Sequence, residues 1–299
     1  MNIEKIKYYL DLVDCRSFTE TAKMNYVSQT TISQTIASLE DTFQIQLINR
    51  KKTPIEPTEA GLLFYDEALI LWKQYQSMQK KMRNFQAHRQ ETVTIEYSAM
   101  TDIQTLLNVT PSFKEKNPHL ELNLTKVLLK NISEYLTKGI YDVAIAFDSE
   151  FQDKKEITTI PLYAGKYQAV VGAGHPLFDK EAVTLAELYQ YPLVMLDPSV
   201  IGASYNLMQQ HAQKDGYQPH IAKTVDDVET ELFAIRTEKL IGFFPDNYNL
   251  TYPASEIRMI PIEGSFHTFQ IELGYLSTNA NTAIRSLIHS IKEKHSISE

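Results

Sequence analysis

The chain has 299 residues, of which 43% are hydrophobic and 22% charged, so it can build a buried core and is not a disordered segment. Its apolar stretches are only as long as a strand, which excludes a membrane-spanning helix, and its start lacks the basic-then-apolar order of a signal peptide. The single cysteine, Cys15, excludes an internal disulfide and a thiolate zinc cluster. We therefore expect a soluble cytoplasmic protein with no membrane partner.

Charge is unevenly distributed along the chain. The first 89 residues carry a net charge of +2, whereas residues 90–299 carry a net charge of −10. This asymmetry is compatible with a small DNA-facing module that precedes an acidic domain with a different partner. A net charge of +2 is equally compatible with ordinary variation in composition.

Apolar residues at helical spacing predict three helices within the first 58 residues. Ser17 and Ser28 are the expected N-caps of the second and third helices. The third helix carries Ile32, Ile36 and Leu39 on one face. Two helices joined by a four-residue turn form a helix-turn-helix.

The opposite face of the third helix carries short polar side chains and no acid before Glu40. Short hydroxyls and amides fit a major groove, where they bond base edges and phosphates. The residues expected to contact DNA from this helix are Ser28, Gln29, Thr30, Thr31, Ser33, Gln34 and Ser38. Residues 47–57 predict a two-stranded wing whose cations, Arg50, Lys51 and Lys52, contact phosphates. The alternative is a three-helix bundle with an ordinary basic loop.

This amino-terminal segment resembles the signature of the LysR-type transcriptional regulators. The match runs through Ser17-Phe18-Thr19, Val27-Ser28-Gln29, Ile32-Ser33, Leu39-Glu40 and Thr58-Glu59-Ala60-Gly61. The resemblance implies a non-enzymatic regulator that binds double-stranded operator DNA as a homodimer or homotetramer, responds to a small-molecule effector and, if it is an activator, contacts RNA polymerase. The chain departs from the family pattern at Asn25, Thr30, Gln34 and Gln44, where an apolar residue, proline, arginine and glycine are usual.

Residues 59–89 are predicted to form a linker helix. Its apolar residues alternate at spacings of four and three, which is the period of a coiled-coil seam. The seam predicts a dimer interface made of Phe64, Ala68, Leu71, Tyr75, Met78 and Met82. Off the seam, Leu62, Leu63, Leu69 and Trp72 are candidates for packing on the winged domain. The alternative is a single core helix.

Residues 90–299 alternate between strand and helix patterns, which predicts a mostly parallel sheet with helices outside. Residues 157–162 and 167–171 are predicted as two separate strands of this domain. The order of elements and the segments 141–145, 175–177 and 241–245 resemble the family's effector domain, in which two α/β lobes like those of periplasmic binding proteins close on a ligand. The predicted α/β fold therefore has an all-α winged helix-turn-helix domain (1–58), the linker helix (59–89) and an effector-binding domain (90–299). Lobe I spans about 90–162 and 267–299, and lobe II about 163–266.

In such sheets the ligand lies beyond the carboxyl ends of the strands, where helices begin. The effector is therefore expected at Ser98, Met100, Thr101, Leu129, Lys130, Phe147, Ser199, Ile201, Ser204 and Pro245. Helix amino-termini with nearby hydroxyls, together with Lys130, favour a small carboxylate effector. Each hydroxyl is equally explained as a helix cap.

No catalytic set, metal site or cofactor is expected. The eight histidines include no pair at helical i, i+4 spacing, and residues 202–206 lack the second glycine of a nucleophile elbow. Two other functions remain open, namely a cytoplasmic solute-binding module whose first helices only mediate oligomerisation, and a two-lobed enzyme. The first predicts equal affinity for operator and random DNA, and the second needs a convergent acid–base set.

Overall fold

The computed structural model describes residues 2–86, 92–264 and 267–296 of the chain. It divides into two compact units, Met1–Arg89 and Gln90–Glu299. Residues 87–91 and 297–299 lie outside the described residues. The expected end of the linker helix and the expected start and end of lobe I fall within them. No helix of the described ranges is long and apolar enough to cross a membrane.

The first unit is helical, with one short hairpin. Its elements are α1 (Ile3–Cys15), α2 (Phe18–Met24), α3 (Gln29–Phe43), β1 (Ile48–Asn49), β2 (Glu56–Pro57) and α4 (Glu59–Gln86), and the two strands pair antiparallel. The predicted caps are present, since the Ser17 hydroxyl accepts a hydrogen bond from the Glu20 N–H at 3.3 Å and the Ser28 hydroxyl accepts one from the Thr31 N–H at 3.0 Å. This is the predicted winged helix-turn-helix followed by a long helix.

The core of the first unit lies between its first three helices. Tyr9 of α1 and Ile32, Ile36 and Leu39 of α3 are almost completely buried there. The Tyr9 ring meets the ring of Phe64 from α4 edge-on, with 4.9 Å between centroids. These contacts fix the apolar face of α3 toward the core and leave its polar face outside.

Two departures from the LysR-type pattern have local explanations. Gln44 ends α3 with a left-handed φ of 52°, where the pattern has glycine, and its side-chain amide donates to the Asp41 carbonyl at 2.6 Å. Asn25, where the pattern has an apolar residue, donates to Asp11 Oδ2 at 2.7 Å and accepts a hydrogen bond from Lys7. Polar contacts therefore stabilise both helix ends in this chain.

The second unit is an α/β fold. Its strands are β3 (Thr92–Tyr97), β4 (Glu121–Lys126), β5 (Val143–Phe147), β6 (Ile157–Gly172), β7 (Val183–Thr184), β8 (Leu193–Leu196), β9 (Ile221–Val225), β10 (Gly242–Pro245), β11 (Ile257–Ile260), β12 (Ile262–Glu263) and β13 (Thr268–Leu276). Its helices are α5 (Met100–Lys116), α6 (Ile132–Thr137), α7 (Leu185–Leu188), α8 (Pro198–Ile201), α9 (Ala203–Lys214), α10 (Val228–Glu238) and α11 (Ala283–Ser296). Short 3-10 turns cover Leu129–Asn131 and Asp148–Glu150.

The main sheet is mixed, in the order β10-β6-β13-β5-β3-β4 with β11 also paired to β6. Strands β3, β4 and β5 pair parallel, as predicted. The prediction of a mostly parallel sheet is wrong for the rest, because β13 comes from the end of the chain and enters antiparallel between β5 and β6. The pairs β8–β9 and β7–β12 are parallel.

Strand β6 runs through both lobes as one strand of 16 residues, where the sequence predicted two strands, 157–162 and 167–171. Up to Lys166 it pairs with β13, and from Tyr167 onward it pairs with β10 and β11. Pro161, inside the first of these predicted strands, lies beside a register shift, where a proline is tolerated in a strand. The lobes therefore meet within a continuous strand.

Candidate functional site

The polar face of α3 is open to solvent. Gln29, Thr30, Thr31 and Gln34 are exposed, and Ser33 is half-buried. No acidic residue precedes Glu40 in this helix. A helix that follows a tight turn and exposes hydroxyl and amide groups can enter a major groove and contact base edges.

Two residues of this region differ from the sequence-based expectation. Ser38, expected at the DNA, accepts a hydrogen bond from Lys5 Nζ at 2.7 Å and therefore faces α1. Tyr26 was not predicted as a contact, yet it is 97% exposed in the turn before α3. A large aromatic residue in a turn of polar residues was the available signal, and its position beside Ser28 makes it a further candidate for a phosphate contact.

The cations of the wing are not equally available. Arg50 Nη2 lies 3.0 Å from Glu40 Oε2, and the Arg50 guanidinium stacks over the Phe18 ring. Lys52 forms an ion pair with Glu56. Lys51 is exposed, and no ion pair joins it to any other residue that the structure describes. Of the three predicted phosphate contacts, Arg50 and Lys52 are thus held within the unit, whereas Lys51 extends into solvent.

The predicted seam of α4 divides into two parts. Phe64 packs on the core and Ala68, 1% exposed, packs on α1, so the assignment of these two residues to a dimer interface is corrected. Leu71, Met78 and Met82 are 45%, 53% and 62% exposed. The residues expected to pack on the winged domain also divide, since Leu69 and Trp72 contact α1 whereas Leu62 and Leu63 are exposed. Sequence spacing alone did not separate the two faces of this helix.

A cavity of about 140 Å³ lies between the lobes of the second unit. Lobe I contributes Thr101, Leu129 and Phe147, and lobe II contributes Ile201, Ser204 and Pro245. Aromatic and methionine side chains form much of the remaining wall, among them Tyr167, Met195, Met208, Phe244 and Tyr248. The cavity is therefore mainly apolar and has the form of a small-molecule site.

A second, more polar cavity of about 200 Å³ adjoins the first and shares Phe147, Tyr167, Ser204 and Met208 with it. Asp148 and His211 are among its lining residues. At this junction the lobes are joined by hydrogen bonds, because the Ser204 hydroxyl lies 3.1 Å from the Ser149 hydroxyl and donates to Glu150 Oε1 at 3.2 Å. Burial raises the pKa of Glu150 to about 7, against the opposing effect of these hydrogen bonds.

The start of α5 already holds a carboxylate of this chain. Asp102 Oδ2 accepts hydrogen bonds from the Ser98 and Ala99 N–H groups at 3.0 and 2.7 Å and from the Ser98 hydroxyl at 2.7 Å. Burial raises the pKa of Asp102, and the same hydrogen bonds oppose that shift. Ser98, which was expected to bind the effector, is therefore engaged by Asp102.

Other expected effector contacts also lie away from the cavity. Ser199 is exposed, and its N–H donates to Asp197 Oδ1 at 2.8 Å. The Lys130 backbone lies against Gly202, and Lys130 does not line either cavity. Met100 begins α5, but its side chain lies outside the described part of the structure. The positive charge that the sequence assigned to the site is therefore absent from the described cavity walls.

Glu231 of α10 lines the apolar cavity and was not predicted. It is only 4% exposed, and burial raises its pKa to about 8. The signal was its spacing from Val228, Leu232 and Ile235, which places all four residues on one face of the helix. Among the described residues no group of three or more histidine, cysteine, aspartate or glutamate side chains is arranged to hold a metal ion.

Two family models match the chain. The model described as bacterial regulatory helix-turn-helix protein, lysR family, matches residues 3–62, and the LysR substrate binding domain model matches residues 86–296. Over 295 residues the chain is 24% identical to the HTH-type transcriptional regulator CysB of Burkholderia cenocepacia, covering 98% of this chain and 92% of that protein. It is 21% identical to the Hca operon transcriptional activator HcaR of Escherichia coli, covering 98% of each chain.

Solved structures show the same fold. The LysR family transcriptional regulator CbnR matches with a TM-score of 0.70 at 17% identity, over 98% of this chain and 99% of that chain. Full-length CbnR complexed with its target DNA matches with a TM-score of 0.66 at 17% identity and the same coverage. Full-length BenM matches with a TM-score of 0.57 at 21% identity, over 100% of this chain and 98% of that chain.

Proposed function

Because this chain belongs to the LysR family of bacterial transcriptional regulators, we propose that it binds operator DNA as a homodimer or homotetramer through α3 and that a small molecule in the inter-lobe cavity controls this binding. It is a DNA-binding regulator with an effector-binding domain, and its relatives are regulators rather than enzymes. The exposed, acid-free face of α3 is the observation that carries the proposal. We expect the regulator to act in the cytoplasm and, if it is an activator, to contact RNA polymerase.

Gln34→Ala tests the base contacts of α3. A side-chain amide in the major groove bonds a base edge, and a good contact of this kind discriminates by about 1–3 kcal/mol. We expect the variant to bind the best genomic fragment about tenfold more weakly while its affinity for random DNA stays within twofold. Fluorescence anisotropy measures both affinities, and Gln76→Ala on α4 is the control. Equal affinity of the wild type for genomic and random DNA would instead favour the solute-binding module.

Lys51→Ala tests the phosphate contacts of the wing. Since Lys51 is the wing cation that no ion pair holds among the described residues, its loss should weaken binding to all DNA sequences alike. The slope of the logarithm of affinity against the logarithm of salt concentration should fall by about one unit. Lys155→Ala, a change of the same type at an exposed position of the second unit, should leave the slope unaltered. An unchanged slope in Lys51→Ala would remove this residue from the contact surface.

Met78→Glu tests the proposed assembly. Leu71, Met78 and Met82 form an exposed apolar stripe on α4, which supports contact with a second copy of the chain. A charge in this stripe should convert an oligomer into single subunits at micromolar concentration, measured by sedimentation velocity. Gln76→Glu adds the same charge at an exposed position outside the stripe and should leave the oligomer intact. A wild type that sediments as one subunit would contradict the proposal.

The residues proposed to contact the effector are those that line the inter-lobe cavity, including the predicted Thr101, Leu129, Phe147, Ile201, Ser204 and Pro245. Their support is geometric, since both lobes contribute to one small apolar space. The small carboxylate that the sequence favoured stays a prediction. The contacts of Asp102 at the start of α5 and the absence of lysine and arginine from the described cavity walls do not support it.

A further inference from the structure

We propose that the effector is a small amine, with a protonated nitrogen that pairs with Glu231 and an apolar body about the size of one six-membered ring. This inference rests on the proposed role of the inter-lobe cavity as the effector site. It differs from the carboxylate expectation in the sign of the ligand's charge. It is carried by the position and contacts of Glu231, by the charges around both cavities and by the shape of the apolar wall.

Glu231 is a buried acid without a partner among the residues that the structure describes. Its side chain is 4% exposed and lines the cavity, and its carboxyl forms no hydrogen bond or ion pair with any residue that the structure describes. The backbone of β10 passes close by, because a Cβ on Gly242 would lie 3.2 Å from Glu231 Oε1. A buried carboxylate costs free energy unless a hydrogen-bond donor or a cation compensates it, so without such a partner Glu231 keeps its proton at pH 7. A bound ammonium group would stabilise the carboxylate, and the proton would pass to solvent. The open cavity is where such a partner can enter.

The charged groups around the site favour a cation. Neither cavity has a lysine or arginine among its described lining residues, whereas Asp148 lines the second cavity and Glu150 bonds Ser204, which lines both. The other titratable groups on the wall of the apolar cavity are Tyr167 and Tyr248, and burial raises the pKa of both phenols. His211 also lines the second cavity, but burial lowers its pKa, which favours the neutral imidazole. A ligand carboxylate would therefore meet acids here without a lysine or arginine to compensate it.

Three donors at the start of α5 that a ligand carboxylate could use are already engaged. Asp102 takes the Ser98 and Ala99 N–H groups and the Ser98 hydroxyl, so this part of the helix terminus is compensated within the protein. Within the described ranges of the chain, no such donor compensates the carboxyl of Glu231. The site therefore favours a ligand with a positive group beside Glu231 of α10 over a ligand with a negative group at the start of α5.

The remaining wall defines the body of the ligand. A cavity of about 140 Å³ is close to the size that holds a single benzene ring. Phe147, Tyr167, Phe244 and Tyr248 present aromatic surface, which packs on an apolar ring and also attracts a cation. Benzylamine has both parts, while benzyl alcohol and benzoate keep the ring and change the head group to a neutral or a negative one.

The test is titration of the full chain with these three probes by isothermal calorimetry at pH 7. Benzylamine should bind at least tenfold more tightly than benzyl alcohol, and benzoate should bind more weakly than both. Glu231→Gln should weaken benzylamine at least tenfold and change benzyl alcohol less than threefold. Glu229→Gln removes the same charge from an exposed position on the same helix and should change neither affinity. Glu231→Ala replaces Glu231→Gln if far-UV circular dichroism shows that the latter does not fold.

Two kinds of failure are distinguishable. If benzoate or benzyl alcohol binds as tightly as benzylamine, or if Glu231→Gln leaves the preference for the amine intact, the amine assignment is wrong and the cavity remains an effector site. If none of the three probes binds at 10 mM, the amine assignment falls together with the proposed role of the cavity. Binding to genomic DNA, measured separately, tests the role of α3 in either case.

Discussion

Gly61→Ala is expected to destabilise the first unit by at least about 2 kcal/mol, although alanine normally favours a helix over glycine by about 1 kcal/mol. Gly61 lies in the first turns of α4, and a Cβ there would be 2.0 Å from the Leu47 carbonyl oxygen and 2.7 Å from the Tyr9 hydroxyl. The Tyr9 hydroxyl also donates to the Gly61 carbonyl at 2.9 Å. The added methyl group must therefore push α4 away from the wing.

Urea unfolding followed by the fluorescence of Trp72 measures this effect in the full chain. Trp72 is the single tryptophan. It belongs to α4 and packs on α1, so its fluorescence reports on the first unit. Adding Tyr9→Phe to Gly61→Ala should not restore stability, because the contact with the Leu47 carbonyl remains. A variant as stable as the wild type would mean that α4 does not approach the wing as closely as the structure has it.

The second unit is expected to lose stability as the pH rises from about 4.5 to about 8, and Glu231→Gln should remove the part of that loss that Glu231 contributes. Burial raises the pKa of Glu231 to about 8 in the folded protein, while the unfolded chain keeps the ordinary value of 4.5. Between these values the folded state holds a proton that the unfolded chain has released, so stability falls by about 1.4 kcal/mol per pH unit. The stabilisation is complete below pH 4.5 and lost above pH 8, a total of roughly 3–5 kcal/mol.

Far-UV circular dichroism in urea at pH 5 and pH 8 measures this difference, with Trp72 fluorescence reporting the other unit separately. Burial also raises the pKa of Glu150, to about 7, so Glu150 adds to the loss of stability with rising pH in the wild type and in Glu231→Gln alike. The difference between these two proteins therefore isolates Glu231. Glu229→Gln, at an exposed position, should follow the wild type. If Glu231→Gln differs from the wild type in stability by the same amount at pH 5 and at pH 8, the Glu231 carboxyl does not cause the pH dependence.

The elements of the first unit could be predicted because their signals are local. Ser28 caps α3, and its apolar face follows from spacings of three and four. The partner of each face of α4 could not be predicted in this way, since Phe64 is fixed by contact with Tyr9, 55 positions earlier in the chain. Likewise, β6 was predicted as two strands, 157–162 and 167–171, and it is pairing with β13 and then with β10 that makes it continuous.

The cavity could be predicted where topology decides the position. Thr101 and Phe147 lie at the ends of strands or at the following helix starts, and an α/β sheet brings such positions together. Glu231 lies within a helix in an acidic segment, where glutamate is ordinarily a solvated residue. Lys130 was chosen for its charge, but the path of the chain carries it toward Gly202 instead. Side-chain direction was therefore the quantity that the sequence did not specify.

The uninterrupted course of β6 also limits how the second unit can be taken apart. Since the same strand supplies the edge for β13 in one lobe and for β10 in the other, neither lobe is an autonomous folding module. A cut in the chain near Lys166 would separate the part of β6 that pairs with β13 from the part that pairs with β10. Chimaeras between this regulator and its relatives should therefore exchange the whole second unit. Relative motion of the two lobes on ligand binding would have to twist or bend the continuous strand β6, because this connection between them is not a flexible loop.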